Sequence, residues 1–204
     1  MTKPKTDAGV TEIREIRSAA KPIELRAEPG DETISVSGYA AVFNEPANIL
    51  DIFEEVIAPG AFDEALARGD DTVFLVNHRD LPLARTSSGT LRLSVDPRGL
   101  KVETDLDAAD PDVGRIVPKM RRGDLSKMSF AFRAVREEWD DTGEIPRRTI
   151  LEVELYDVSI VTDPAYQGTE IGLRSMRDAL GDAGALEGAR IARRMKRKAR
   201  LAGL

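Results

Sequence analysis

Apolar residues along this chain fall mostly into short runs of two-residue period, interrupted by two stretches of helical period. Ile34, Val36, Gly38 and Ala40 alternate with polar or small residues, and Tyr39 to Phe43 extends the run until Asn44-Glu45-Pro46 breaks it. That is the spacing of a half-buried strand. Further strands are expected over Asp51 to Ile57, Thr72 to Val76, Gly89 to Val95 and Gly99 to Leu106, the last two joined by the turn signal Asp96-Pro97-Arg98-Gly99. Lys127 to Glu138 and Arg148 to Val161 read as a hairpin about Asp140-Asp141-Thr142-Gly143-Glu144. Helical spacing is found at Ala61 to Leu66, after Pro59-Gly60. It recurs from Pro111 to Arg122, where Val113, Ile116, Val117 and Met120 repeat every three or four residues before Gly123. Many short strands with two helices predict an α+β fold: a mostly antiparallel, closed or nearly closed β-barrel with helices packed outside it.

The flanks differ from this middle. Residues 1–31 are rich in charge, Lys-Pro and Pro-Gly, which predicts a mobile N-terminal arm, and the folded domain is expected over 32–174. Residues 175–204 read as a basic, helix-prone tail. The net charge of −6 hides this asymmetry: residues 171–204 carry nine Lys/Arg against Asp178, Asp182 and Glu187, so the remainder is more acidic than the whole. An acidic body argues against a domain that binds nucleic acid over its surface, while the tail suits an acidic partner or nucleic acid.

Cysteine is absent, which removes disulfides, thiolate metal sites and cysteine nucleophiles together. No apolar run is long enough for a signal or membrane segment, so a cytosolic protein is expected. No phosphate-binding glycine motif and no cluster of metal carboxylates stands out.

What remains for chemistry is a hydroxyl, an imidazole and a carboxylate. The single histidine, His78, ends an apolar strand, and no other side chain can supply imidazole base chemistry near neutral pH. A nearby carboxylate would raise its pKa from about 6.5, and burial would lower it. Ser129 lies in a strand where Met128, Phe130 and Phe132 share one face and Lys127, Ser129, Ala131 and Arg133 the other. On the partner strand Leu151, Val153 and Leu155 form the apolar face, and Glu152, Glu154 and Tyr156 the other. A hairpin centred between Asp140 and Asp141 opposes Ser129 to Glu152, and a later centre moves the partner toward Glu154 or Tyr156. Asp157 falls on the apolar face unless a bulge intervenes, which ranks it below Glu152 and Glu154. Serine, imidazole and acid are the parts of an acyl-transfer site.

Six motifs in order, Gly38-Tyr-Ala-Ala-Val-Phe-Asn44, Glu55-Val-Ile-Ala-Pro-Gly-Ala-Phe62, Leu75-Val-Asn-His78, Gly89-Thr-Leu91, Lys127-Met-Ser-Phe-Ala-Phe132 and Asp157-Val-Ser-Ile-Val-Thr-Asp-Pro-Ala-Tyr166, resemble the caudovirus prohead serine proteases from about residue 33 to 174. The resemblance implies the assemblin-like barrel of herpesvirus capsid maturation proteases, with His78 and Ser129 as the catalytic pair. Those more distant relatives carry a second histidine as third member, in a strand where Glu152 stands here, so Glu152 is the expected acid. It further implies a serine endopeptidase without cofactor or metal, which cuts scaffold or capsid-protein segments, and itself, inside a prohead assembling in the host cytoplasm. Its partners would be the major capsid protein or scaffold. A homodimer stays open, and the basic tail suits docking to acidic scaffold or nucleic acid. A non-catalytic capsid-assembly docking module is the alternative from another class.

Overall fold

The computed structural model describes residues 14–26, 31–162, 172–173 and 175–181. In chain order the elements are β1 (Glu15–Pro22), β2 (Glu24–Arg26), β3 (Thr33–Val42), β4 (Ala47–Ile49), β5 (Phe53–Ile57), α1 (Asp63–Arg68), β6 (Val73–Val76), β7 (Arg79–Arg85), β8 (Leu91–Val95), β9 (Gly99–Asp107), α2 (Pro111–Arg122), β10 (Lys127–Asp140) and β11 (Arg147–Val161). The expected α+β composition is present. The ladders divide the strands into two sheets, where a closed or nearly closed barrel is expected. One runs β1-β10-β11-β5-β4 with β6 and β7 branching from β11, and the other β2-β3-β9-β8. Among the described residues no ladder joins the two. They share one core, in which Val36, Leu100 and Val102 of the smaller sheet meet Phe130, Phe132, Val158 and Ile160 of the larger. Phe62, Phe130 and Phe132 stack or meet edge to face at centroid distances of 5.4 and 4.9 Å. Each such ring contributes about 1.5–3 kcal/mol by burial.

Local signals account for the helices. Asp110 accepts the Asp112 N–H at 2.8 Å as N-cap of α2, Pro111 occupies the first turn where no donor is needed, and Gly123 closes the helix at φ 84°. Val113, Ile116, Val117 and Met120 are its buried stripe, as their spacing predicts.

The hairpin turns later than its sequence suggests, because Asp140 pairs with Arg147. Pro146 has no N–H to give a ladder, and Asp140 folds the loop by accepting the Thr142 N–H at 2.9 Å. The resulting β11 is long enough to serve two neighbours on its far side: Arg147 to Ile150 pair with β5, and Asp157 to Ile160 with β6.

Two flank expectations need correction. Residues 15–22 and 24–26 lie in the stretch expected to be a mobile arm, yet they form β1 and β2. Two of their charges are paired inside the protein: Glu15 and Arg17 are buried in a network with Glu55, Arg148 and Glu137. At the other end, residues 175–181 are helical, and Met176 is fully buried against Ile49 and Phe53, so the folded body extends past residue 174. The expected arm residues 1–13 and tail residues 182–204 lie outside the described residues.

Arg148 is the hub of that network, 1% exposed, with Glu15, Glu55 and Glu137 around it. Burial works against its charge, but the hydrogen bond to Glu15 and the charges of the three carboxylates outweigh it, and the guanidinium stays firmly cationic. Arg148→Met would leave Glu15 and Glu55 buried with Arg17 as their remaining cation in the network. The expected cost is about 3–5 kcal/mol, read from urea unfolding.

Candidate active site

The site begins at the β6–β7 connection. Val76 pairs with Arg79, so Asn77 and His78 form a two-residue turn with both residues left-handed, at φ 52° and 59°. A turn of this hand matches the twist of a hairpin and favours Asn first and Gly second. Histidine in the second position is strained, and such strain persists only where contacts over-determine it. Those contacts are present. The Asn77 N–H donates to the Ile160 carbonyl at 2.8 Å, and its Oδ1 accepts the Thr162 N–H at 3.0 Å. The His78 N–H donates to Ser159 Oγ at 3.2 Å. The strand β7 that follows escaped the sequence reading, because Arg79, Asp80, Leu81 and Pro82 are all exposed and show no alternation.

The turn aims the His78 ring into the larger sheet, where its side chain is 7% exposed. Its Nδ1 lies 2.6 Å from Asp157 Oδ1 and its Nε2 lies 2.7 Å from Ser129 Oγ. A buried carboxylate beside a neutral ring accepts, so Nδ1 carries the proton and Nε2 turns a lone pair to the serine. Ser159 Oγ donates to the same Asp157 oxygen at 2.9 Å and lies 3.2 Å from Nδ1. The other Asp157 oxygen is ion-paired with Arg14. Ser129, Asp157 and Ser159 are all essentially buried.

The structure therefore places His78 beside Ser129, but not beside Glu152. Ser129 stands opposite Ser159, Ala131 opposite Asp157, and Phe132 opposite Leu155, which leaves Tyr156 as an extra residue in β11. That bulge reverses the alternation and turns Asp157 to the Ser129 side. Glu152 instead stands opposite Arg136, 3.6 Å from its guanidinium, on a partly exposed strand face. Glu154 binds Arg133 at 2.9 Å, and this hydrogen bond holds its carboxyl below its usual pKa. Ser159 was missed altogether. The signal was its two-residue spacing from Asp157, which puts both on one face.

Between the opposed influences on the imidazole, burial prevails: together with the positive charge of Arg14 it pushes His78 down to about 4. The ring is neutral at neutral pH and ready to accept a proton. Among the described residues no cluster of three or more His, Asp or Glu could hold a metal ion, and no helix is long and apolar enough to cross a membrane.

Comparison with known proteins bears on the fold and on the family. The fold is similar to a solved structure of the bacteriophage T4 capsid assembly protease, gp21, with a TM-score of 0.52 at 10% identity, covering 74% of this chain and 98% of that one. None of the curated proteins matches the sequence. The family model of the caudovirus prohead serine protease, a serine peptidase family, matches residues 21–181. A match over so much of the chain, across the strands that hold His78, Ser129 and Asp157, places it plainly: the chain belongs to the caudovirus prohead serine protease family.

Proposed function

We propose that this chain is an endopeptidase in which Ser129 is the nucleophile, His78 the general base and Asp157 the acid, and that it cuts scaffold or capsid-protein segments, its own chain included, in the assembling prohead. The observation that carries this reading is the engagement of both His78 ring nitrogens, one by Asp157 and one by Ser129. Ser129 Oγ attacks the peptide carbonyl carbon as its proton passes to His78 Nε2. Asp157 holds the tautomer that leaves Nε2 open and then stabilises the imidazolium. The same proton goes to the leaving amine, and water repeats the sequence on the acyl-enzyme. Ser159 is a positioning residue, fixing the carboxylate and the His78 backbone together. A docking module gives this buried chain of polar groups no role.

The test is the mass of the capsid protein in particles assembled with the full chain. Loss of a capsid-protein segment with the wild type, and its retention with Ser129→Ala, is the expected result. Identical capsid masses in both would remove the reading.

A base must be deprotonated to act, so activity is lost as pH falls through the His78 pKa. With that pKa at about 4 in the chain that keeps Arg14, the rate of cutting its own chain is expected to stay level from neutral pH down and to decline on approaching about 4. Arg14→Ala removes one of the two influences that depress it, and the acidic limb should move to higher pH. The rate of self-cleavage against pH in both proteins checks the direction of that shift.

A further inference from the structure

Ser129 is fully buried, and what covers it is the chain's own N-terminal strand. β1 lies antiparallel on β10 with Ser18 opposite Ser129 and Arg17 opposite Phe130. The Arg17 carbonyl oxygen accepts from Ser129 Oγ at 2.7 Å, the distance at which His78 Nε2 also competes for the one hydroxyl proton. The peptide group closest to the nucleophile is thus Arg17–Ser18.

The side chains of β1 are held as specifically as its backbone. Arg17 forms a two-pronged pair with Glu55 of β5, Nε to Oε1 at 2.5 Å and Nη2 to Oε2 at 2.9 Å, and its guanidinium lies 5.7 Å from the centre of the Phe132 ring. Two residues earlier, Glu15 receives both prongs of Arg148, at 2.6 and 2.9 Å. Planar, paired recognition of this kind selects arginine over lysine. A cleft of about 210 Å³ opens along the same strand between Ser18, Ala41, Pro46, Glu55 and Phe130. Strand addition of this form takes its affinity from backbone hydrogen bonds and its selectivity from pockets for alternate side chains.

Resting on the reading of Ser129 as nucleophile, we propose that β1 occupies the place of the substrate strand, and that this protease cuts after an arginine preceded two residues earlier by a glutamate, its own Arg17–Ser18 bond among them. Glu55 receives the arginine and Arg148 the glutamate. Ser129 Oγ bonds to the Arg17 carbonyl carbon and its proton passes through His78 to the Ser18 nitrogen. The Arg17–Ser18 bond breaks, and water releases residues 1–17 as a carboxylate while the serine regains its proton. Departure of this segment removes Glu15 and Arg17 from their pockets and Arg14 from Asp157, opening the site to a strand from another chain.

The purified full chain tests this directly, with a fluorophosphonate probe counting reactive serines and a peptide series Glu-Ile-Xaa-Ser in which Xaa is each of the twenty amino acids. Expected are a new N-terminus at Ser18 in the wild type and its absence in Ser129→Ala and Arg17→Gln. Cleavage of the arginine peptide should be about 100-fold faster than that of the alanine peptide, a gap that Glu55→Gln narrows. Ser129-dependent cutting without a preference for arginine would overturn the substrate assignment and leave the protease intact. Arginine-selective cutting of peptides by a chain that keeps residues 1–17 would overturn the self-cleavage half. Neither cleavage nor probe labelling at Ser129 would overturn both this proposal and the function on which it rests. The peptide series needs no variant, so a Glu55→Gln chain that fails to fold does not weaken it.

Discussion

Ser129→Ala and His78→Gly are each expected to lower kcat/KM by several orders of magnitude, about 10⁶ at the upper end, with a chain that still folds. The two losses should be of similar size and should not add in the double variant, because a nucleophile without its base, or a base without its nucleophile, does no better than neither. Glycine is the informative replacement at 78. It adopts the left-handed φ of 59° found there without the steric penalty of a Cβ, so the turn between β6 and β7 keeps its shape while the imidazole is lost. Peptide cleavage assays paired with circular dichroism check both halves of the expectation. A folded His78→Gly chain with wild-type turnover would remove the histidine from the mechanism.

Asp157→Asn is expected to reduce turnover by about 10⁴, whereas Glu152→Gln should change it by no more than a few-fold. The amide in place of Asp157 can present N–H to Nδ1, which favours the tautomer with its proton on Nε2 and closes the position that must accept from Ser129. It also withdraws the negative charge that offsets the imidazolium. Glu152 has only a partly exposed pairing with Arg136 at 3.6 Å to lose. Kinetics of the two variants on one peptide decide between the acids, and the larger loss falling on Glu152→Gln would reject the arrangement seen here. Ser159→Ala should fall between them, since it loosens the carboxylate without changing its charge.

The place of Asp157 beside His78, where Glu152 is expected, shows where the amino-acid pattern carries information and where it does not. Alternation placed β3, β8 and β9 to within a few residues, because each has one face in the shared core, while β6, β10 and β11 were found through apolar runs that include residues buried on both faces. It also placed Ser129 beside a carboxylate across the hairpin. Which carboxylate depended on two features that alternation does not encode: the length of the loop ending at Pro146, and the extra residue at Tyr156. A bulge leaves no mark on hydropathy, yet it moves every later side chain to the other face. β1 was overlooked for a different reason. Glu15 and Arg17 read as solvated charges, since nothing local reveals that their partners stand far along the chain at Glu55 and Arg148. β7 was missed because it buries little. The pairing of His78 with Ser129 was not visible in the spacing of either residue and came from the order of the six motifs.

The shared position of β11 bears on how the molecule opens. Residues 157–160 are bonded to β10 on one side and β6 on the other, so their amides have no low-energy route to solvent short of losing both ladders at once. β1 sits at the sheet's edge, bonded within that sheet to β10 alone, and its release breaks one ladder. The two events therefore belong to different levels of opening free energy. Release of the strand that covers the serine, with its ion pairs, leaves the aspartate, the histidine turn and the serine strand joined, which lets a buried site exchange its occupant without coming apart.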